Sequence, residues 1–208
     1  MRIPLMLALW LVAPAALAQE SYGEPFTQAG LMQGCTTEGE APGCMVYADG
    51  FRYLALYDGP TAPEMMAELE ALAVNTPVQI SGEIISLGDI TAEIAMGGVA
   101  VLDAEPYADL RTVLQGDWLS NDDASYVVQI NGSEWTDVIS GEVVETSTLQ
   151  IDDACADGSP SDDPALIVRP MGGDPEAFTC LAVMDAQGDT LTLLNLPRGN
   201  ILSFSRNK

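Results

Sequence analysis

Leu114-Gln115-Gly116-Asp117-Trp118 opens a run of short β segments that ends at Leu202-Ser203-Phe204-Ser205-Arg206, and its reading decides the fold of the second half of the chain. Working outward from Trp118-Leu119, apolar-alternating segments follow at 126–130, 134–139 and 142–151, divided by turn dipeptides at Asn131-Gly132 and Ser140-Gly141. A long acidic loop comes next. Beyond it lie segments at 165–169, 178–184, 190–196 and 201–206, with turns at Gln187-Gly188 and Arg198-Gly199-Asn200. Eight short strands at close, regular spacing predict an antiparallel meander, closed into a barrel or folded as a sandwich.

Upstream, the polar, Pro-bearing stretch 103–109 marks a domain boundary, leaving 19–105 as one domain and 110–208 as the other. Residues 19–34 are polar and Gly-containing, which predicts a leader or a short edge strand. Residues 45–47 and 51–57 read as strands joined through Asp49-Gly50, a dipeptide favoured in tight hairpins. Thr61 with Glu64 three residues later forms a capping-box pattern, and Pro63 suits a first turn. Met65, Leu69 and Leu72 then recur on one face, so a helix is expected there, with Met65 and Met66 as core filling rather than a partner surface. Strands are expected at 78–85, 91–96 and 99–102. The fold class is therefore mainly β, with a small α+β domain of β-β-α-β-β order ahead of an eight-stranded antiparallel domain.

Residues 1–18 have the three parts of a secretory signal peptide: Arg2, an apolar run from Leu5 to Ala13, and Ala16-Leu17-Ala18 as the cleavage site. Polar Gln19, Glu20 and Ser21 follow directly, and the apolar run is shorter than the roughly 20 residues that span a bilayer. The expectation is a mature protein free in the periplasm or secreted, with no stable membrane insertion. The chain carries 7 basic and 31 acidic residues, a net charge of −24, and loss of Arg2 with the leader makes it one unit more negative. Such a chain repels phosphate backbones, which excludes nucleic acid as a partner; the acidity itself favours solubility.

Four cysteines in an exported chain predict structural disulfides, and Cys35–Cys44 with Cys155–Cys180 is the pairing that keeps each bridge within one domain. With no C-x-x-C and no histidine, zinc and thiol chemistry are not expected. The lack of histidine also removes the Ser-His-Asp and Cys-His routes, and no phosphate-cradling glycine loop is present. No cofactor is expected, and an enzyme would have to work with Asp, Glu, Tyr and Arg.

The stretch Pro77-Val78-Gln79-Ile80-Ser81-Gly82-Glu83-Ile84-Ile85, within residues 43–103, resembles the small exported OB-like domains of bacteria, whose Gly-bearing strand helps curl the sheet. The basic, aromatic ligand groove familiar from OB-folds does not carry over to a chain this acidic. Gly116-Asp117-Trp118 at the start of the meander, with Arg206 near its end, resembles the G-x-W motif and late arginine of the lipocalin or calycin superfamily. That resemblance implies a compact eight-stranded barrel over residues 110–208 in which the Trp118 indole packs under the Arg206 guanidinium at the closed end. The chain lacks the usual C-terminal helix and its strands are short, so the interior is open to filling by its own side chains. Bacterial periplasmic metalloprotease inhibitors share such a barrel with one disulfide, and there the partner is a protein.

Trp135 alternates with Asp137 and Ile139. It is expected in the core, with a barrel mouth or a binding surface as the alternative. Asp152, Asp153, Asp157, Asp162 and Asp163 crowd the acidic loop, but their spacing does not match a calcium loop, and a solvated loop is expected. Asn131-Gly132-Ser133 fits both a glycosylation sequon and a hairpin turn, and the turn is preferred. The functional expectation is an exported, non-catalytic binding or interaction protein, taking an unknown protein or a small apolar ligand through the C-terminal barrel. The rivals are a periplasmic protease inhibitor and a carboxylate-based hydrolase.

Overall fold

The computed structural model describes residues 23–39, 41–48, 50–103, 106–172, 174, 177–196 and 198–207. The signal-peptide reading of residues 1–18, and Asp49 of the hairpin dipeptide, lie outside the described residues. The first domain contains β1 (Glu24–Thr36), β2 (Gly43–Ala48), β3 (Phe51–Leu56), helix α1 (Pro63–Glu70), β4 (Pro77–Leu87) and β5 (Thr91–Val101). These strands close in the order β1-β2-β3-β5-β4, with β3 and β5 parallel and β1 returning to β4. A five-stranded closed barrel with a helix between β3 and β4 is the OB-like arrangement.

Residues 19–34 were expected to be a leader or a short edge strand, and the structure corrects this. β1 is 13 residues long and closes the barrel. Its first part pairs with β4 from Glu24 to Leu31, and its second part pairs with β2 from Leu31 to Thr36, with a bulge between Met32 and Gly34. Met32 is its one fully buried side chain, with Phe26 and Cys35 packed partly buried against the same core, and two backbone ladders hold the rest of the strand.

Thr61 does not cap α1. The N-cap is Ala62, without a side-chain cap bond. Thr61 is buried, and its Oγ1 instead accepts from the Met96 backbone N–H at 3.0 Å, tying the helix approach to β5. Met66 and Leu69 form the buried face of α1, while Met65 and Leu72 pack partly buried beside it.

A helix that the strand pattern did not suggest precedes the second set of strands. The polar link runs into α2 (Ala108–Leu114), then β6 (Gly116–Ser120), β7 (Tyr126–Asn131), β8 (Glu134–Ile139), β9 (Glu142–Ala154), β10 (Pro160–Pro170), β11 (Thr179–Gln187), β12 (Thr190–Asn195) and β13 (Asn200–Arg206). Each strand pairs antiparallel with the next, and β13 closes on β6 through Phe204↔Ser120, Ser205↔Leu119 and Arg206↔Trp118. The result is an eight-stranded, all-antiparallel closed barrel.

The acidic loop is shorter than its composition suggested, because β9 runs on to Ala154 and β10 starts at Pro160. The ladder resumes at Pro160↔Ala154 after a register break that contains Asp153, Asp162 and Asp163, all three of them exposed. The barrel interior is occupied by Trp118, Ile130, Trp135, Leu166, Leu191, Phe204 and their neighbours, with Tyr107 and Leu110 packed against this core from the α2 side.

Candidate functional site

The sequence-marked residues Trp118 and Arg206 meet at the α2 end of the second barrel. The Arg206 guanidinium carbon lies 4.2 Å from the Trp118 ring centroid, a cation–π geometry. Arg206 also donates from Nη1 to the Gln115 carbonyl at 2.7 Å and from Nη2 to the Val113 carbonyl at 2.9 Å. The Trp118 Nε1–H donates to the Leu114 carbonyl at 2.7 Å. Carbonyls at a helix C-terminus lack intrahelical donors, and these two side chains supply them at the end of α2. Gly116 sits at φ +109°, and a Cβ there would stand 3.0 Å from Arg206 Nη1, so the Gly and the Trp of the motif both serve the same closure. This end is structural.

Trp135 is 3% exposed and belongs to the core of the second barrel. Its Nε1–H donates to Asp137 Oδ1 at 2.9 Å, and the Tyr126 hydroxyl donates to the same oxygen at 2.6 Å. Burial, with the hydrogen bond to Asp137 second, pushes the Tyr126 phenol far above its ordinary range. An unfolded tyrosine releases its proton near pH 10, while folded Tyr126 retains it, so its contribution to stability is full below about pH 10 and declines as the pH rises above that. Stability measured across this range is expected to fall less steeply in Tyr126→Phe than in the parent; identical slopes would remove Tyr126 as the cause.

Both disulfides pair as expected, Cys35 with Cys44 and Cys155 with Cys180, and the described cysteines include none free. Covalent bridges of this kind indicate an extracellular or otherwise oxidising compartment. No helix among the described residues is long and apolar enough to cross a membrane. The Asp152–Asp163 region does not converge on a metal: among the described residues no group of three or more Asp, Glu, Cys or His is placed to hold one. Asp157 instead accepts from the Ser159 backbone N–H at 2.9 Å, closing the tip of its own turn, and that bond holds its carboxyl below the ordinary range. The Asn131–Ser133 stretch is a hairpin turn, with Asn131 paired to Glu134 and Ser133 buried.

That turn leads to a feature the sequence did not mark. Gly132 (φ +61°) and Ser133 press against the first barrel, where the Ser133 N–H donates to Gln33 Oε1 at 3.3 Å. A Cβ on Gly132 would meet only the end of the flexible Gln33 side chain, so it is the positive φ of this turn that favours glycine here. Beside it, Arg52 Nε on β3 donates to Glu134 Oε1 on β8 at 2.6 Å, a charge-assisted bond across the seam.

Next to this seam a cleft of about 830 Å³ separates the barrels. Leu31, Tyr47, Phe51 and Ile90 line it from the first barrel, and Leu149, Ile151, Pro170 and Met171 from the second. Its charged lining is Arg111 and Arg169, with Asp89 and Asp174. Arg111 is 2% exposed and donates from Nη1 to Ser133 Oγ at 3.5 Å; Arg169 is half-buried, its guanidinium 5.4 Å from the Phe178 ring centroid. The wall from the first barrel is built from β1, β2, β3 and the β2–β3 and β4–β5 turns. That wall looks across at β9, β10, Ser133 of the β7–β8 turn and Arg111 of α2.

Compared with protein-family models, with curated proteins and with solved structures, the chain matches none. Fold and site together define a class: an OB-like barrel docked beside an eight-stranded antiparallel barrel, with a cleft between them.

Proposed function

We propose that this is an exported, non-catalytic small-ligand-binding protein, made with a signal peptide and released to the periplasm or beyond, whose binding site is the cleft between its two barrels. The second barrel is lipocalin-like in this reading, but its ligand lies outside it. The observation that carries the proposal is the contrast between the two spaces. The barrel interior is taken up by its own Trp, Phe, Leu, Ile and Val side chains, whereas the cleft has the volume of a ligand site, which typically runs about 300–1,000 Å³. Its lining is about evenly divided between apolar residues and polar or charged ones, so it offers both kinds of contact to a ligand. The non-catalytic reading is supported by the absence of histidine from the chain and by the exposure of both cleft carboxylates, Asp89 and Asp174.

The test is a titration with N-phenyl-1-naphthylamine, an uncharged fluorescent apolar probe. One probe per chain is expected to bind, and Ile90→Trp, which places an indole in the cleft, is expected to weaken it about tenfold or more through steric overlap. Unchanged binding in that variant would overturn the cleft as the site.

A further inference from the structure

We propose that the second barrel binds a small amphipathic amine at its rim, with the protonated amino group held between Asp137 and Glu145 and the apolar body lying on the β8–β9 hairpin. This site is separate from the cleft and stands at the end of the barrel opposite α2.

Three observations carry it. The first is a pair of like charges without a counter-ion. Asp137 on β8 and Glu145 on β9 are direct register partners, so both side chains leave the same face of the sheet. That face is the inner one, because Trp135, two residues before Asp137, belongs to the barrel core. Like charges directly opposite each other on neighbouring strands are destabilising, and a cation seated between them reverses the sign. Among the described residues neither carboxylate has an arginine or lysine partner. Arg52 is bonded to Glu134, Arg206 closes the α2 end, Arg111 and Arg169 line the cleft, and Arg198 stands in the β12–β13 turn, across the barrel in strand order. The Tyr126 hydroxyl and the Trp135 indole N–H both donate to Asp137 Oδ1, which fixes the carboxylate and leaves Oδ2 for a ligand.

The second is a buried hydroxyl without a partner. Ser147 follows Glu145 by two residues on β9, on the same inner face and one step deeper, as the direct partner of Trp135. It is 1% exposed, and its Oγ makes no hydrogen bond. A buried hydroxyl is costly to leave unpaired, and an ammonium group has three donors to share among Asp137, Glu145 and Ser147. With only two carboxylates and no third acidic ligand at hand, the site suits an organic cation rather than a metal ion.

The third is the surface beside the charges. Ile139, Val143 and Val144 are exposed at the same hairpin, where they offer apolar contact to the body of a ligand whose head points inward. Glu145 is exposed as well, so the head reaches it from solvent. The field of a chain at −24 draws in cations, which favours a ligand of this sign over an anion.

The experiment titrates the isotope-labelled, full mature protein with phenethylamine, a monocation at neutral pH, and with phenethyl alcohol, which has the same apolar body and no charge. The indole N–H resonances of Trp135 and Trp118 report the two ends of the barrel. The Trp135 signal is expected to move with amine while Trp118 stays in place, and the amine to bind about tenfold more tightly than the alcohol. Glu145→Gln, a change at an exposed position, is expected to weaken the amine about tenfold and Ser147→Ala about threefold, with the alcohol altered less than about twofold by either. Asp109→Asn, which removes the same charge from exposed α2, and Ile90→Trp, which fills the cleft, are expected to leave the amine within about twofold of the parent. Equal affinity for the two probes, a still Trp135 signal, or unchanged amine binding in Glu145→Gln or Ser147→Ala would overturn the site. So would a loss in Asp109→Asn matching that in Glu145→Gln, which would mean that the overall charge of the chain gathers the amine, or a comparable loss in Ile90→Trp, which would place it in the cleft.

Discussion

Replacing Trp118 with alanine is expected to destabilise the second barrel by about 3–5 kcal/mol, the range for deleting a fully buried large aromatic. The upper end applies because the indole does three jobs at once. It fills the α2 end of the core, donates to the Leu114 carbonyl at 2.7 Å, and forms the face on which Arg206 lies at 4.2 Å. Without it the Leu114 carbonyl loses its donor in a buried setting, and Arg206 loses the surface that orients its bonds to Val113 and Gln115. Trp118→Phe keeps most of the apolar volume and gives up the hydrogen bond, so a smaller loss of about 1–2 kcal/mol is expected. Urea unfolding followed by near-ultraviolet circular dichroism measures both. A Trp118→Ala loss below about 1 kcal/mol would mean that the end of the barrel is closed by something else.

The closure at Trp118 was legible in the sequence because each of its parts has a local signature: a glycine where φ is positive, an indole two residues on, and an arginine alternating with Leu202 and Phe204 on the last strand. The other strands of the second barrel were legible for a similar reason, since turn dipeptides punctuate an alternating pattern. What escaped was structure made by the backbone alone. β1 buries one side chain completely and is held by ladders to β2 and β4, so no periodicity in residues 24–36 announces a strand. The ends of β9 and β10 carry exposed aspartates in a break of the register, and only the Pro160↔Ala154 pair beyond it extends the two strands, so their composition resembles a loop.

Helix α2 had a signal that the strand pattern masked. Tyr107, Leu110 or Arg111, and Leu114 recur at helical spacing, and Leu114 and Arg111 are its buried residues. Thr61 shows the opposite failure: a sound local motif was overridden because Oγ1 found a backbone partner on β5. The cleft could not be read from periodicity at all, as it arises from how two closed barrels dock. Its one trace in the sequence is scarcity. In a chain so poor in arginine, two of the five described ones, Arg111 and Arg169, line that space together with Asp89 and Asp174.

Scarcity of positive charge also governs how much each disulfide matters, and the larger effect is expected at Cys155–Cys180. This bridge closes a separation of 25 residues, whereas Cys35–Cys44 closes 9. By loop-closure entropy the first stabilises by about 3.5 kcal/mol and the second by about 2.6 kcal/mol. Topology widens the gap. Cys35 and Cys44 are direct register partners on adjacent strands, so the β1–β2 ladder already holds them together. Cys155 follows β9 while Cys180 lies on β11, so that bridge reaches across β10 and fastens the acidic crossover at its base. The crossover carries Asp152, Asp153, Asp157, Asp162 and Asp163 with no lysine or arginine between them, and their mutual repulsion favours opening once the bridge is gone. The double variant Cys155→Ala/Cys180→Ala is therefore expected to lose more stability than Cys35→Ala/Cys44→Ala, and to regain part of that loss as salt shortens the screening length to about 10 Å at 0.1 M. Denaturant unfolding of the two variants at low and moderate salt decides it. Equal losses, or a loss at Cys155–Cys180 indifferent to salt, would mean that the acidic crossover is held by its backbone ladder and not by the bridge.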